Sequence, residues 1–337
     1  MTQVREQRDT ETLVVAGSPR PAGPGGRVRR RRIGGGVYLA LLPVFILLGL
    51  FQFYPALSGI WFSFWDWRPS GGSTFTGLDN YVRMLGDTVW WDSFKNLGII
   101  FVFNVVMWVF PLLAAELLIT LKHERSAFVY RTLLIIPMAF PGVVTALVWQ
   151  FFYDPNNGVF NAVLEAVGLG ALAQNWTGDP DTALLSLLFV GFPFIAGLPF
   201  LIIYSSLQNI PKEIFEAAAL DGVGRLRRVW LFDLPLMASQ VRILLFLGVV
   251  GTLQYGFTAY VLTGGGPDNA TVVPILRVLN MAFQGGQWGY AAALSTTLFA
   301  ITLALSCVVM FWRRRDPVDQ PIDPTLEVGA VEIRSTQ

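Results

Sequence analysis

Gly289-Tyr-Ala-Ala-Ala-Leu-Ser-Thr-Thr-Leu-Phe-Ala-Ile-Thr-Leu-Ala-Leu-Ser-Cys-Val-Val-Met-Phe-Trp312 runs without one charged side chain and stops against Arg313, Arg314 and Arg315. A helix rises about 1.5 Å per residue, so roughly 20 consecutive apolar residues cross the hydrocarbon core of a bilayer. This stretch is long enough, and its aromatic and basic end suits the membrane interface. Five further stretches read the same way: about Val37–Phe64, Leu97–Leu121, Thr132–Phe152, Ala183–Leu207 and Ile243–Leu262. Pro43, Pro111, Pro137, Pro141, Pro193 and Pro199 lie inside them. Membrane helices tolerate proline because neighbouring helices or water take up the freed carbonyls. The expected fold class is therefore an all-α integral membrane protein with six transmembrane helices. Composition agrees: 53% of the 337 residues are apolar and 14% charged, against about 25% charged in soluble domains.

Basic residues concentrate in loops on the cytoplasmic side of a membrane. With the N-terminus placed inside, all of the 24 Lys and Arg except Arg68, Arg83, Lys95 and Arg277 fall in inner segments. That asymmetry predicts an N-in, C-in topology. Residues 1–36 are polar and rich in Gly, Pro and Arg, and read as a disordered basic cytoplasmic arm. The apolar run that follows Arg27, Arg29, Arg30, Arg31 and Arg32 continues through Trp61, longer than the core of a signal peptide. It reads as an uncleaved helix entering from the cytoplasm. Residues 37–312 form the transmembrane domain and 313–337 a cytoplasmic tail.

The chain holds one cysteine, Cys307, and one histidine, His123, far apart in sequence. That excludes an internal disulfide, most zinc sites and Cys/His catalysis, so no catalytic or metal-ligating set is expected. Glu116 is the clearest acid within a span, and Lys122 or Arg125 could partner it. A carrier coupled to protons or sodium commonly needs buried carboxylates, which are scarce here. A phosphate-binding loop ends in Gly-Lys-Ser/Thr. Lys95, Lys122 and Lys212 follow Phe, Leu and Pro, so the chain lacks that motif.

The inner segment at about 208–238 is unlike the other loops: Gln208-Asn-Ile-Pro-Lys-Glu-Ile-Phe-Glu-Ala-Ala-Ala-Leu-Asp-Gly-Val-Gly-Arg-Leu-Arg-Arg-Val-Trp-Leu-Phe-Asp-Leu-Pro235. Pro211 suits a first helical turn, where its missing N–H costs nothing. Glu213 and Glu216 favour the positive end of the helix dipole. Ala217, Ala218 and Ala219 are strong helix formers without bulk, giving a flat face. Asp221-Gly222 stops the helix. A second short helix carries Arg225, Arg227 and Arg228, and Leu234-Pro235 is expected to end it. Such a helix–turn–helix suits the cleft of a partner protein, and also suits a plain amphipathic connector.

Glu216, Ala217, Ala218, Asp221, Gly222, Leu234 and Pro235 stand at the spacings of the EAA loop of bacterial ABC importer permeases, which this segment resembles. It departs at Phe232, where Ile or Val is usual, and at Val223, where Ala is usual. Tyr260-Val-Leu-Thr-Gly-Gly-Gly-Pro267, Asn269-Ala-Thr271, Trp288-Gly-Tyr-Ala-Ala-Ala-Leu-Ser295 and Thr76-Gly-Leu-Asp-Asn-Tyr-Val-Arg83 resemble the first of the two permeases in sugar importers of the maltose and glycerol-phosphate type. The likeness covers residues 37–312. It implies the type I ABC importer permease fold in the bacterial plasma (inner) membrane, and import by alternating access. It also implies partners: a second homologous permease, a dimer of ATP-binding subunits that hold ATP and Mg, and an extracytoplasmic sugar-binding protein. No cofactor in this chain and no nucleic acid are expected.

A sugar path needs hydrogen-bonding groups and an aromatic face within the bundle. Gly248, Thr252 and Tyr255 are spaced to share one helix face, which the resemblance places along a central cavity. Asn104, Gln150 and Asn280 are further candidates, and all of these residues equally suit helix packing. The expected solute is a sugar or oligosaccharide, with glycerol phosphate or another small polar solute as the alternative. None of these faces carries Arg or Lys, which favours a neutral sugar. A stand-alone secondary carrier would need more buried acids and no docking loop.

Overall fold

The structure is a computed structural model that describes residues 35–192 and 197–311. The tail 313–337, most of the arm 1–36, and Pro193 lie outside the described residues. The chain divides into two units, Met1–Phe53 and Tyr54–Gln337. In the first, helix α1 (Gly35–Leu48) contains Pro43 and passes into a wider π-helical turn, Gly49–Phe53.

The second unit opens with α2 (Tyr54–Phe62) and a short antiparallel hairpin, β1 (Trp65–Asp66) and β2 (Thr74–Phe75), with Trp65 opposite Phe75. Then come α3 (Asp79–Leu85), α4 (Thr88–Met107) and α5 (Val109–Ile119). The break at Trp108 has a local cause. Pro111 has no N–H for the Met107 carbonyl, and its ring crowds the preceding turn. Helices α6 (Glu124–Ile135), α7 (Gly142–Phe152), α8 (Val159–Ala166), α9 (Pro180–Leu188) and α10 (Gly197–Gln208) follow. The loop elements are α11 (Lys212–Leu220), α12 (Arg225–Arg228) and α13 (Leu234–Leu236). The chain continues through α14 (Ala238–Leu253), α15 (Phe257–Leu262), α16 (Pro274–Leu279) and α17 (Trp288–Phe311).

Among the described residues, four helical stretches are long and apolar enough to cross a membrane: Leu41–Phe62, Thr88–Ile119, Ala238–Leu262 and Trp288–Phe311. The third predicted span, Thr132–Phe152, is not straight. It is a pair of helical segments bent by 88° between Ala139 and Gly142. Phe140 is extended ahead of Pro141 (φ −75°, ψ 129°), as the ring of a following proline requires. The fourth, Ala183–Leu207, is likewise not one helix. It maps onto α9 and α10, and Gly191 between them is left-handed at φ +87°. The fifth starts at Ala238, earlier than Ile243, and breaks between Leu253 and Phe257.

The spans bury little of their surface. Phe299, Leu303, Val308 and Phe311 along α17 are all exposed. Such apolar area is a liability in water and the required outer surface in lipid. Among the described residues the buried core forms two clusters. One, at the Asp87 end of α4, gathers Trp90, Leu97, Ile100, Leu276, Tyr290 and Leu294. The other, at the Glu116 end of α5, gathers Ala115, Leu118, Phe200, Tyr204, Leu207, Met237 and Leu244.

At the Asp87 end, one carboxylate gathers three helices. Asp87 caps α4 by accepting from the Trp90 N–H at 3.1 Å, and accepts from Arg277 of α16 at 2.9 Å and from the Tyr290 hydroxyl of α17 at 2.8 Å. The Arg83 guanidinium lies 4.1 Å from the centre of the Tyr290 ring. Burial works against the Asp87 charge, but the Tyr290 and Arg277 hydrogen bonds, the Trp90 N–H and the Arg277 charge outweigh it. Its carboxyl is held below the ordinary 3.8.

Candidate coupling loop and solute path

Helix α11 begins just after Pro211, which sits at the N-cap in extended geometry. The helix ends as a Schellman-type turn: the Val223 N–H donates to the Ala218 carbonyl at 3.0 Å, and Gly222 is left-handed at φ +69°. Both signals read from the sequence, Pro211 and Asp221-Gly222, thus land at the helix ends. The alanines do not form one flat face. Ala218 turns inward and is 3% exposed, on the same helix side as Ile214 and Phe215, which pack against the core cluster that includes residues of α5 and α10. Glu213, Glu216, Ala217 and Leu220 share the opposite face, and all are exposed.

Leu234-Pro235 does not end the second helix. The helical path runs from α12 through a π-helical turn, Val229–Asp233, into α13. Pro235 stands inside that path, just past the π-helical turn. The loop leaves large apolar side chains uncovered: Leu220 is 90% exposed, Leu226 75% and Trp230 72%.

Glu116 does not pair with Lys122 or Arg125. Its Oε2 accepts from Arg228 Nη2, and Arg228 Nε donates to Asp233 Oδ2 at 3.0 Å. The Arg228 guanidinium also lies 4.7 Å from the centre of the Phe215 ring. Sequence reading missed this cluster because Glu116 and Arg228 stand 112 residues apart.

A cavity of about 310 Å³ is lined by Asn104, Trp108, Leu198, Pro199, Leu244, Leu247, Gly248, Gly251, Thr252 and Tyr255. Four predicted residues, Asn104, Gly248, Thr252 and Tyr255, therefore meet on one wall system. Gln150 does not join them; it is exposed on α7. Asn280 stands at the start of the π-helical turn after α16, also outside this lining. Trp108 supplies the aromatic face. A Cβ on Gly248 would lie 3.1 Å from the Trp108 ring, so the glycine permits this close approach.

The loop after α15 is also built rather than loose. Thr271 is fully buried and bonds to the Thr263 hydroxyl at 2.7 Å and the Gly266 carbonyl at 3.0 Å. The Asn96 amide of α4 donates to Ala270 and Val272 carbonyls at 3.0 and 2.9 Å. In the Thr76–Arg83 segment, Asn80 donates to Ser63 and Trp65 carbonyls at 2.9 and 3.0 Å.

Residues 107–315, from the kink at Trp108 past the end of α17, match a family described as the inner membrane component of binding-protein-dependent transport systems. The chain belongs to this family. A probable ABC transporter permease of Bacillus subtilis, YurN, is 36% identical over 280 residues, covering 81% of this chain and 94% of that protein. The diacetylchitobiose uptake system permease NgcF of Streptomyces coelicolor is 29% identical, covering 88% of each chain. Among solved structures, a chain of a bacterial alginate ABC transporter, in complex with an alginate pentasaccharide-bound periplasmic protein, superposes with a TM-score of 0.72. It is 19% identical and the match covers 83% of this chain and 94% of that one, so it shows a shared importer permease fold. As a family member, this chain is a permease component of an ABC transporter in the membrane.

Proposed function

We propose that this permease forms part of the translocation path for a sugar or oligosaccharide, and that ATP hydrolysis on partner subunits drives it by alternating access. Six spans with both ends in the cytoplasm complete the topology, 37–312 being the permease domain between the arm 1–36 and the tail 313–337. A second homologous permease, an ATPase dimer holding ATP and Mg, and an extracytoplasmic binding protein complete the assembly. Relatives named for diacetylchitobiose uptake and for trehalose/maltose transport support the solute class.

The observation that carries the reading is the uncovered apolar face of the loop, Leu220, Leu226 and Trp230, beside Glu216 and Ala217. A large apolar side chain held at 90% exposure on a well-capped helix is accounted for by a partner that covers it. Glu216 supplies a charge for a basic group of that partner, and Asp221-Gly222 with Leu234-Pro235 fixes the loop's shape. On the solute side, Asn104, Thr252 and Tyr255 offer hydrogen bonds, and Trp108 offers a ring face for a sugar. The described lining of the cavity holds neither Lys nor Arg, which favours a neutral solute over glycerol phosphate. Gln150, exposed on α7, is assigned no place in the path.

The test is co-purification with the ATPase, second permease and binding protein in nanodiscs, followed by ATP hydrolysis across a sugar panel. Stimulation by one loaded binding protein, lost on Glu216→Ala, is the expected result. Failure of the assembled wild type to respond to any loaded binding protein would contradict the reading. Gly222→Asp is expected to leave assembly intact, since nothing lies within 4 Å of a Cβ added there, yet to uncouple hydrolysis from transport by straining the left-handed turn.

A further inference from the structure

Arg228 touches three elements at once. Its Nη2 reaches Glu116 on α5, its Nε reaches Asp233 in the π-helical turn, and its guanidinium lies against Phe215 of α11. The neighbouring arginines of α12, Arg225 and Arg227, are exposed, whereas the Arg228 side chain is 15% exposed, that of Glu116 12% and that of Asp233 0%. Burying three ionisable groups is costly, and a plain connector between spans would gain nothing from it.

We propose that Arg228 is the positioning residue through which movement of the exposed docking face reaches the transmembrane helices. The inference rests on the reading of the loop as the ATPase-docking element. Two kinds of contact join α11 to α5. One is apolar packing of Ile214 and Phe215 against the core cluster to which Ala115 and Leu118 of α5 belong. Apolar surfaces slide with little directional preference. The other is the guanidinium, a planar fork whose charge-assisted hydrogen bonds fix direction as well as distance. Its two nitrogens face two carboxylates on different elements, so a push on α11 or on the turn displaces Glu116, and α5 with it. Lysine would lack this geometry: one ammonium keeps the charge but not the fork.

Glu116 and Asp233 also face each other, and the second oxygen of each carboxyl is buried, so the two carboxyls and the guanidinium form one compact cluster.

The experiment uses the assembled transporter in nanodiscs and proteoliposomes, with Glu116→Gln, Arg228→Lys and the double variant. The readout is solute moved per ATP hydrolysed, alongside the amount of ATPase recovered with the permease. Each single variant is expected to recover the ATPase at the wild-type amount and to lower transport per ATP by roughly fivefold or more. The double variant is expected to be no worse than either single one, as for two halves of one joint. A merely structural role would instead lower recovery of the complex and leave transport per ATP unchanged. Wild-type transport per ATP in Glu116→Gln overturns the proposal. If that variant does not assemble, wild-type transport per ATP in Arg228→Lys overturns it equally. Failure of the wild-type permease to bind an ATPase would strike the docking reading itself, a distinct outcome.

Discussion

Gly248 and Gly256 set how closely their neighbours approach, and both are testable by adding carbon. At Gly248 a Cβ would meet the Trp108 ring at 3.1 Å. Gly248→Ala asks the indole to give by a few tenths of an ångström, whereas Gly248→Leu fills the cavity. Transport is expected to fall by roughly tenfold or more in the leucine variant, with assembly unchanged in a pull-down of the ATPase. At Gly256 a Cβ would stand 1.8 Å from Ile275 Cγ2. Gly256→Ala should therefore cost about 1–3 kcal/mol, and Ile275→Ala in the same chain should restore much of it in a thermal melt. The sequence made Gly248, Thr252 and Tyr255 legible as one face because helical periodicity needs no tertiary information. It did not show Trp108 opposite them, since a tryptophan in an apolar run is indistinguishable from a lipid-facing one until a partner is placed. Gln150 and Asn280 stand out by polarity alone, and polarity does not say which way a helix is turned.

At the scale of elements, the Asp87 cluster is the firmest joint: one carboxylate serves α4, α16 and α17. Asp87→Asn is expected to destabilise the protein by on the order of 2 kcal/mol near pH 7. The pH dependence follows from the sign of the shift. A carboxyl held below 3.8 when folded stabilises the native state fully above that value, and the contribution fades as pH falls through it and then through the lower folded value. The gap in melting temperature between wild type and Asp87→Asn should therefore persist down to about pH 3.8 and close on acidification below it; a gap that stays unchanged well below that pH would contradict the assignment. The two ends of α11 were legible, because Pro211 and Gly222 are local signals whose physics does not depend on the rest of the fold, whereas the inward turn of Ala218 was not. The bends in the third and fourth predicted spans were not. Proline in a membrane helix gives either a gentle kink or a full break, and neighbours decide which. Here Pro137 and Pro141 bracket an 88° turn, while Pro199, in the first turn of α10, breaks nothing.

Within the unit Tyr54–Gln337 one cluster is organised around Asp87 and another around Glu116, with the uncovered face of the 208–238 loop beside the second. On the orientation proposed from the biased distribution of Lys and Arg, the Glu116 end faces the cytoplasm, while at the other end Arg68, Arg83 and Arg277 are held against Asp66, Gln287 and Asp87. With Cys307 changed to Ser, Leu226→Cys should label only from the cytoplasmic side and Asn269→Cys only from outside. Labelling of both from one side would overturn the N-in, C-in topology. Family membership explains why so much was readable: the motifs quoted from Thr76–Arg83, Tyr260–Thr271 and Trp288–Ser295 turn out to be joints that close the fold, with Asn80, Thr271 and Tyr290 as their bonded members. On the proposed function, solute moves through this permease only when ATP is hydrolysed by a partner seated on the loop. The most direct measurement is uptake of a labelled sugar into proteoliposomes with ATP enclosed. Accumulation that requires the ATPase, the loaded binding protein and ATP together is the expected result. Equilibration of the sugar by this chain alone, without ATP, would contradict the proposed function.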